Sequence, residues 1–292
     1  MTAQIHEGWV SADGIRTHYA WSGTDGPPVL LIHGTGPGSS GEAGWSYLMP
    51  LIADAGYRAL APDQLSMGLT DTRPHAWPVL GHRSLTAHNL AFLDALCLRD
   101  IAGIVGASMG AYTAITIALE RPEDVGILIL ISSGTLAQAI GLTHDIRGTP
   151  LADYDYSLEA MRRFLSSIVY DQTKLTDELV IARHEAANQP GIREARDAFA
   201  EYRSRMQQDP RLQERFLLRD LGQRLTTPTK LIWGAEDHFA PVELGYKISA
   251  ELPTIDFEVI ADAGHQCQTD QPEVVCQIVI DCLGRGIGVK HG

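Results

Sequence analysis

The chain has 292 residues, of which 45% are hydrophobic and 20% are charged, and its formal net charge is −13. This size fits one large domain, or a domain with a second layer inserted into it. An acidic surface disfavours binding to nucleic acid and to anionic membranes, so we expect neither as a partner.

The N-terminal residues, the apolar runs and the cysteine spacing do not indicate export, a membrane span or metal binding. No apolar run reaches the length that spans a bilayer. The first residues, "MTAQIHEGWV", lack a basic segment followed by an apolar one, so we expect a cytoplasmic protein without a signal peptide. The cysteine spacing matches neither a disulfide framework nor a metal site, and we expect no metal. The four cysteines are Cys97, Cys267, Cys276 and Cys282.

The chain begins with a predicted hairpin and continues with alternating strands and helices. Residues 6–23 form two β-rich runs around Asp13 and Gly14, a turn signal. Most of the later strand-like runs are continuously apolar, which is typical of strands covered on both faces in a parallel sheet. Helical patterns lie between them, so the sequence predicts an α/β fold with a mostly parallel sheet and helices on both faces. The predicted strands are 28–34, 57–63, 101–106, 125–132, 228–234 and 256–264.

The alternation stops after Gly134. Residues 136–225 contain no strong strand pattern and are rich in charged residues and helix formers. We therefore predict a core domain of residues 1–135 and 226–292, with residues 136–225 as a helical cap over the active face. The glycine-rich tail, residues 284–292, is expected to be disordered.

The stretch "GASMG" at 106–110 holds a serine between glycines, directly after a predicted strand. Gly-x-Ser-x-Gly in this context places the serine on a sharp strand-to-helix turn with its hydroxyl exposed. Asp237 and His265 each follow a later strand, at the edge where open parallel sheets hold their sites. The order Ser108, Asp237, His265 therefore predicts a catalytic triad.

Each member of this set has a chemical task. A serine hydroxyl needs an imidazole to take its proton, and a carboxylate on the other ring nitrogen fixes the tautomer. Glu236 and Asp262 compete with Asp237 for the last role, but position favours Asp237. The backbone N–H groups of Thr35 and Met109 are the expected donors to the oxyanion. The groups interpreted as structural or surface residues are His33, which would support its turn, Asp63, Asp71 and His238.

Together, four segments resemble the α/β-hydrolase superfamily: "HGTGPG", "GASMG", "WGAEDHFAP" and "AGHQCQTDQPEVV". The turn "HGTGPGSSGEAGW" and the cap segment around "IARHEAA" are similar to those of the meta-cleavage-product hydrolases, which cut carbon–carbon bonds in ring-fission products of aromatic compounds. The resemblance implies the same triad and oxyanion donors, no cofactor, and a homo-oligomer. It also implies that Arg183 contacts the substrate's carboxylate, although the residues alone favour a solvated arginine on a charged helix.

Two positions depart from that family's pattern. The family commonly has asparagine before the nucleophile and tryptophan after the catalytic histidine, whereas this chain has Ala107 and Gln266. Serine as nucleophile also excludes the related epoxide hydrolases and haloalkane dehalogenases, which attack with aspartate. The predicted substrate contacts are Arg183, Gly34, Gln266 and Trp233. The candidates for a mostly apolar pocket lining are Met109, Leu136, Phe164, Val169 and Trp233, each of which fits an ordinary core position equally well.

The leading hypothesis is a cofactor-independent serine hydrolase that cleaves a carbon–carbon bond next to a ketone in a small vinylogous or β-diketone substrate. The same parts suit ester, lactone or amide hydrolysis. A cofactor-free oxygenase and a ligand receptor without turnover are the remaining alternatives. A nicotinamide or flavin site is not expected, because "GTGPGS" lacks the glycine spacing of the dinucleotide fingerprint.

Overall fold

The computed structural model describes residues 3–142 and 154–290. In these residues, eight strands form one sheet in the order β1-β2-β4-β3-β5-β6-β7-β8. β1 pairs antiparallel with β2, and β2 antiparallel with β4, whereas all further pairs are parallel. The strands are β1 Ile5–Ala12, β2 Ile15–Ser22, β3 Pro28–Ile32, β4 Arg58–Pro62, β5 Gly103–Ala107, β6 Leu128–Ile131, β7 Thr229–Gly234 and β8 Asp256–Ile260.

Helices cover both faces of this sheet. Two apolar clusters lie on its two sides, one beneath α3, α4 and α11 and the other beneath α2 and α13. The predicted hairpin, the mostly parallel sheet and the helical layers are confirmed. The helices are α1 Gly41–Trp45, α2 Met49–Asp54, α3 His82–Ala95, α4 Met109–Glu120, α5 Gly134–Ala139, α6 Leu158–Ile168, α7 Asp177–Ala187, α8 Ile192–Gln208, α9 Pro210–Phe216, α10 Leu221–Arg224, α11 Glu243–Glu251, α12 Cys267–Asp270 and α13 Pro272–Lys290.

Helices α6 to α9 form the layer that the sequence predicts as a cap. Its first two helices begin at hydroxyl caps, Ser157 and Thr176, whose side chains accept backbone N–H bonds. The layer has an apolar cluster of its own, with Met161 and Val180 fully buried. Several residues of the predicted segment 136–225 pack in the main core, among them Leu136 in α5, Phe216 in α9 and Leu221 in α10.

The C-terminal end differs from the prediction. Helix α13 continues to Lys290, so the expectation of disorder from residue 284 is wrong up to that point. The buried side chains of Val275, Val279 and Leu283 recur every four residues and hold the helix on the core. Residues 291 and 292 lie outside the described residues. Over the described ranges, no helix has both the length and the apolar character needed to cross a membrane.

Candidate active site

Ser108 occupies a strained turn between β5 and α4. Its φ is +55° and its ψ is −119°, a conformation that a non-glycine residue adopts only where the surroundings enforce it. Gly106 and Gly110 make the turn sterically feasible: a Cβ on Gly106 would overlap the Gly110 carbonyl, and one on Gly110 would overlap the backbone of Ile32. The local sequence therefore holds the serine at the carboxyl end of the sheet, as predicted from "GASMG".

Asp237 and His265 meet at the same edge of the sheet. Nδ1 of His265 lies 2.8 Å from Oδ2 of Asp237, and both side chains are buried. The other carboxylate oxygen, Oδ1, accepts the backbone N–H groups of Phe239 and Ala240 at 2.9 and 2.7 Å. These bonds fix the carboxylate, which in turn holds the proton of the imidazole on Nδ1 and leaves Nε2 free to act as a base.

The rival acids serve elsewhere. Oε2 of Glu236 accepts the backbone N–H of Ala263 at 3.0 Å, and Asp262 is exposed on the surface. Asp237 is therefore the carboxylate that contacts the imidazole, as position in the sequence favours.

Ser108 and His265 line one cavity of about 620 Å³ between the sheet edge and the cap. Within the described part of the chain, no hydrogen bond joins the Ser108 hydroxyl to His265. Proton transfer between them requires a hydrogen bond from the Ser108 hydroxyl to Nε2 of His265, and catalytic hydrogen bonds of this kind often form only once substrate is bound.

The loop after β3 passes beside the nucleophile. A Cβ on Gly34 would lie 3.1 Å from the Ser108 Cβ, so glycine leaves room for this close approach. Thr35 follows and lines the cavity. Buried His33 supports the loop, because its Nδ1 donates to the Gly34 carbonyl and its Nε2 accepts the backbone N–H of Gln64. Burial lowers the pKa of His33, which keeps the ring in this neutral form.

Arg183 departs from the behaviour of a surface arginine. It projects from α7 into the cavity wall and is only 4% exposed. Its Nη2 donates to the Pro37 carbonyl at 3.1 Å and to the Ser39 hydroxyl at 3.3 Å, while its buried Nε has no partner. Desolvation lowers its pKa to about 10. A buried cation whose described neighbours include no bonded carboxylate is costly unless a ligand supplies the negative charge.

Two glutamines shape the wall next to His265. Oε1 of Gln266 accepts the side-chain amide of Gln268 at 2.8 Å, and the backbone N–H of Gln266 donates to Ile168 in the cap. The buried Oε1 of Gln268 has no partner. Gln266 was predicted as a substrate contact, whereas Gln268 was missed, although it lies in the same short run.

Asp270 ties the cap to the loop that carries His265. Its Oδ1 accepts the backbone N–H of Asp171 and its Oδ2 accepts that of Gly264, each at 2.8 Å. Desolvation raises the pKa of this carboxyl. The position of the imidazole is thus coupled to the junction between core and cap, a role that sequence reasoning did not identify.

Three of the predicted lining residues lie elsewhere. Trp233 is fully buried in the core, where its indole N–H donates to the Ala240 carbonyl at 2.7 Å and its ring packs near Gly245 of α11. It therefore does not contact the cavity, and the prediction is wrong. Leu136 packs in the main core and Val169 in the cap cluster, so they are wrong as well. Gly34, Met109, Phe164, Arg183 and Gln266 do line the cavity.

A second part of the cavity wall escaped prediction altogether. It is formed by the first residue of α3, the second half of α8 and the second half of α9. Its side chains include both aromatic and polar groups, namely His82, Phe199, Arg203, Met206, Gln207, Gln213 and Phe216. Residues 3–142 and 154–290 hold no group of three or more His, Cys, Asp or Glu side chains placed to bind a metal.

Comparison with known proteins connects this geometry to a family. The model of the α/β hydrolase family matches residues 29–278. A 2-hydroxy-6-oxononadienedioate/2-hydroxy-6-oxononatrienedioate hydrolase from Burkholderia vietnamiensis (strain G4 / LMG 22486) is 32% identical over 280 residues, which cover 93% of this chain and 92% of the relative. A 2-hydroxy-6-oxo-6-(2'-aminophenyl)hexa-2,4-dienoic acid hydrolase from Metapseudomonas resinovorans is 28% identical over 279 residues, covering 96% and 91%.

A solved structure extends the match to three dimensions. The meta-cleavage product hydrolase CumD from Pseudomonas fluorescens IP01 aligns with a TM-score of 0.78 at 28% identity, covering 95% of this chain and 97% of that one. The predicted resemblance is therefore confirmed in sequence and in fold. The chain belongs to the α/β hydrolase family, and meta-cleavage product hydrolases are among its relatives.

Proposed function

We propose that this protein is a serine hydrolase that cleaves the carbon–carbon bond next to a ketone in a dienoate ring-fission product. The observation that carries the proposal is Arg183, a buried guanidinium on the same cavity as Ser108 and the Asp237–His265 pair. An ester hydrolase needs the nucleophile and its base but has no general need for a buried cation in the wall. A substrate with a carboxylate at one end supplies the missing charge.

The polar groups of Arg183 are arranged to receive that carboxylate. Nη2 is held by Pro37 and Ser39, and Nε is enclosed. Nη1 is therefore the nitrogen left to donate to a ligand in the cavity. A charge-assisted hydrogen bond of this kind is about twice as strong as a neutral one and orients the substrate's chain towards Ser108.

The reaction uses each member of the site in turn. The substrate's dienol first becomes its keto tautomer. Ser108 Oγ then attacks the ketone while His265 Nε2 takes the hydroxyl proton. The oxyanion accepts hydrogen bonds from the backbone N–H groups of Thr35 and Met109, and losing one such donor typically costs about 3 kcal/mol in the barrier.

Collapse of this intermediate breaks the carbon–carbon bond. The electron pair of that bond goes to the departing carbon, which takes the proton from the imidazolium. The acyl group remains as an ester on Ser108, and water that has lost a proton to His265 releases it as a carboxylic acid. The net change is hydrolysis, and the atoms come from substrate and water alone.

The two departures from the family pattern bear on substrate choice. Ala107 is buried and places a methyl group at the cavity, where an asparagine would offer an amide. Gln266 and Gln268 place a pair of hydrogen-bonded amides beside His265. We infer that these amides, and not a side chain at position 107, provide the polar contacts to the dienol end of the substrate.

A comparison of Ser108→Ala with the wild-type protein tests the proposal. The dienoate absorbs visible or near-ultraviolet light, so its loss reports cleavage directly. We expect turnover of a dienoate by the wild type, a loss of about 10³-fold or more in Ser108→Ala, and retained binding by the variant.

Other outcomes identify other functions. Rapid hydrolysis of a small aryl ester with no cleavage of any dienoate would assign ester hydrolysis. Turnover that survives Ser108→Ala would indicate the cofactor-free oxygenase, and binding without turnover by the wild type would indicate a receptor.

A further inference from the structure

The wall that sequence analysis missed contains a buried histidine at the start of α3. His82 is 7% exposed and lines the same cavity as Ser108. Its ring is packed among Tyr112, Phe199 and Phe216, with centroid distances of 5.0, 5.5 and 4.9 Å. The Tyr112 hydroxyl donates to the Phe216 carbonyl and keeps this aromatic group in place. The imidazole is therefore held in one position.

The hydrogen-bonding state of this ring points to a ligand. Nδ1 of His82 is fully enclosed and has no partner. Nε2 also lacks a bonded neighbour among the described residues, but it is not enclosed, so it is the nitrogen that meets the cavity. Enclosed N–H groups without an acceptor are rarer in proteins than enclosed lone pairs. The proton consequently belongs on Nε2, which makes His82 a hydrogen-bond donor to whatever occupies the cavity.

Arg203 adds a positive charge to the same wall. It lies on α8, one turn after Phe199, and its positive charge adds to the effect of burial in lowering the pKa of His82. The described residues give it no salt bridge. Gln207 and Gln213 lie beside it on the cavity wall. The wall thus offers two hydrogen-bond donors, the Nε2–H group of the fixed His82 ring and the charged guanidinium of Arg203. Together they favour an anionic group of the ligand over an aryl group.

The position of this wall relative to Ser108 decides which part of a substrate it meets. Phe199 packs against a small apolar cluster that contains Met109, the residue after the nucleophile. Arg183 instead belongs to the wall formed by the loop after β3 and by α6 and α7, since it contacts Pro37 and Ser39. If Arg183 holds the dienoate carboxylate, the wall around His82 is left for the acyl side of the ketone.

We propose that His82 and Arg203 form a second carboxylate subsite, so that the preferred substrate is a dicarboxylate with one acid group on each side of the cleaved bond. This inference rests on the proposed function. The inference also distinguishes between the substrates named for two relatives. One name describes a dioate, and the other describes a compound with an aminophenyl group.

The test uses two substrates that differ only on the acyl side. One is a dienedioate, and the other is the same molecule with the acyl-side carboxylate converted to a neutral primary amide. We expect the wild type to favour the diacid by about 10- to 100-fold in kcat/KM. Arg203→Gln should remove most of that preference, because it should lower kcat/KM for the diacid far more than kcat/KM for the amide. His82→Phe, which keeps the aromatic packing, should reduce the preference in the same direction.

Arg205→Gln is the matched control, since Arg205 lies on the same helix, is exposed and does not line the cavity. It should leave both substrates unchanged. Titration of Ser108→Ala with the two compounds gives the same comparison for binding alone. Added salt should weaken the preference, because Arg203 is exposed to solvent as well as lining the cavity.

The results separate this inference from the proposed function. If both compounds are cleaved equally well, or if Arg203→Gln slows both to the same extent, the second subsite is wrong and carbon–carbon cleavage stands. If neither compound is cleaved by the wild type nor bound by Ser108→Ala, both proposals are overturned.

Discussion

The Asp237–His265 pair and the walls of the cavity differ in how their polar groups find hydrogen-bond partners. Asp237 has both carboxylate oxygens engaged, and the imidazole of His265 is fixed by one of them. In the walls, Nη1 of Arg183 and Nε2 of His82 have no bonded neighbour among the described residues, and both side chains line the cavity. The centre is thus completed by the protein, as preorganised catalysis requires. The walls leave charge and hydrogen bonding to be completed by a ligand, so we expect them to determine the choice of substrate.

The largest effect on turnover should come from a substitution in the Asp237–His265 pair. Replacement of Asp237 by Asn preserves shape, but the amide can donate to Nδ1 and so favours the wrong imidazole tautomer. We expect kcat to fall by about 10⁴-fold with little change in substrate binding, measured by steady-state turnover and by titration.

Glu236→Gln is the control for that change, because Glu236 is the adjacent acid and bonds to the backbone of Ala263 instead of to His265. It should retain activity within a few-fold. A severe loss in Glu236→Gln together with a mild loss in Asp237→Asn would contradict the assignment of the triad.

The placement of Ser108, Asp237 and His265 at one edge of the sheet was predictable because strand order fixes it. Buried apolar runs identify the strands, and parallel strands bring Ser108, Asp237 and His265 to one edge although they are distant in the chain. Element types and the layered architecture follow from the same pattern. The expected cytoplasmic location and homo-oligomer stay predictions.

The walls were less predictable because helix register decides them. Arg183 looks like a solvated residue on a charged helix until the packing of α7 buries it, and only the family resemblance indicated its role. Trp233 looks like a pocket residue because it ends a strand near Asp237, yet its side chain points into the helical layer beneath. His82 and Arg203 carry no local signal, since their cavity exists only after α3, α8 and α9 have packed.

A smaller but still large effect on kcat/KM should come from the wall that contains Arg183. Arg183→Gln removes the charge that we assign to the dienoate carboxylate, and truncation of one partner of a buried charge pair typically costs 2–5 kcal/mol. We expect kcat/KM for a dienoate to fall by about 10²-fold or more, measured by loss of its absorbance.

A substrate without a carboxylate provides the control. Hydrolysis of an uncharged aryl ester by Arg183→Gln should stay near the wild-type rate, since Ser108 and His265 are untouched. Equal losses on both substrates would show that Arg183 supports the loop around Pro37 and Ser39 and does not bind the ligand.

His82, in the second wall, should affect how the free energy of unfolding depends on pH. Burial lowers the pKa of His82 to about 3, whereas an unfolded histidine titrates near pH 6.5. Below about pH 6.5 the unfolded chain binds a proton that the folded protein refuses, so stability falls as the pH drops towards 3. The contribution lost at about pH 5 is roughly 2 kcal/mol.

His82→Phe should therefore lose less stability than the wild type between about pH 7 and pH 5, measured by denaturant unfolding at each pH. Parallel curves for His82→Phe and the wild type would mean that the ring is not kept neutral by its surroundings.

The smallest effect distinguishes a core residue from a lining residue. Trp233→Phe loses the hydrogen bond to the Ala240 carbonyl and some packing, so we expect the free energy of unfolding to fall by about 1–2 kcal/mol with KM unchanged. Phe164→Leu is its counterpart, since Phe164 contacts the cavity, and it should raise KM with a comparable loss of stability. A shift in KM for Trp233→Phe as large as that for Phe164→Leu would return Trp233 to the substrate-binding wall, because a side chain that only supports the core has no direct means of changing affinity.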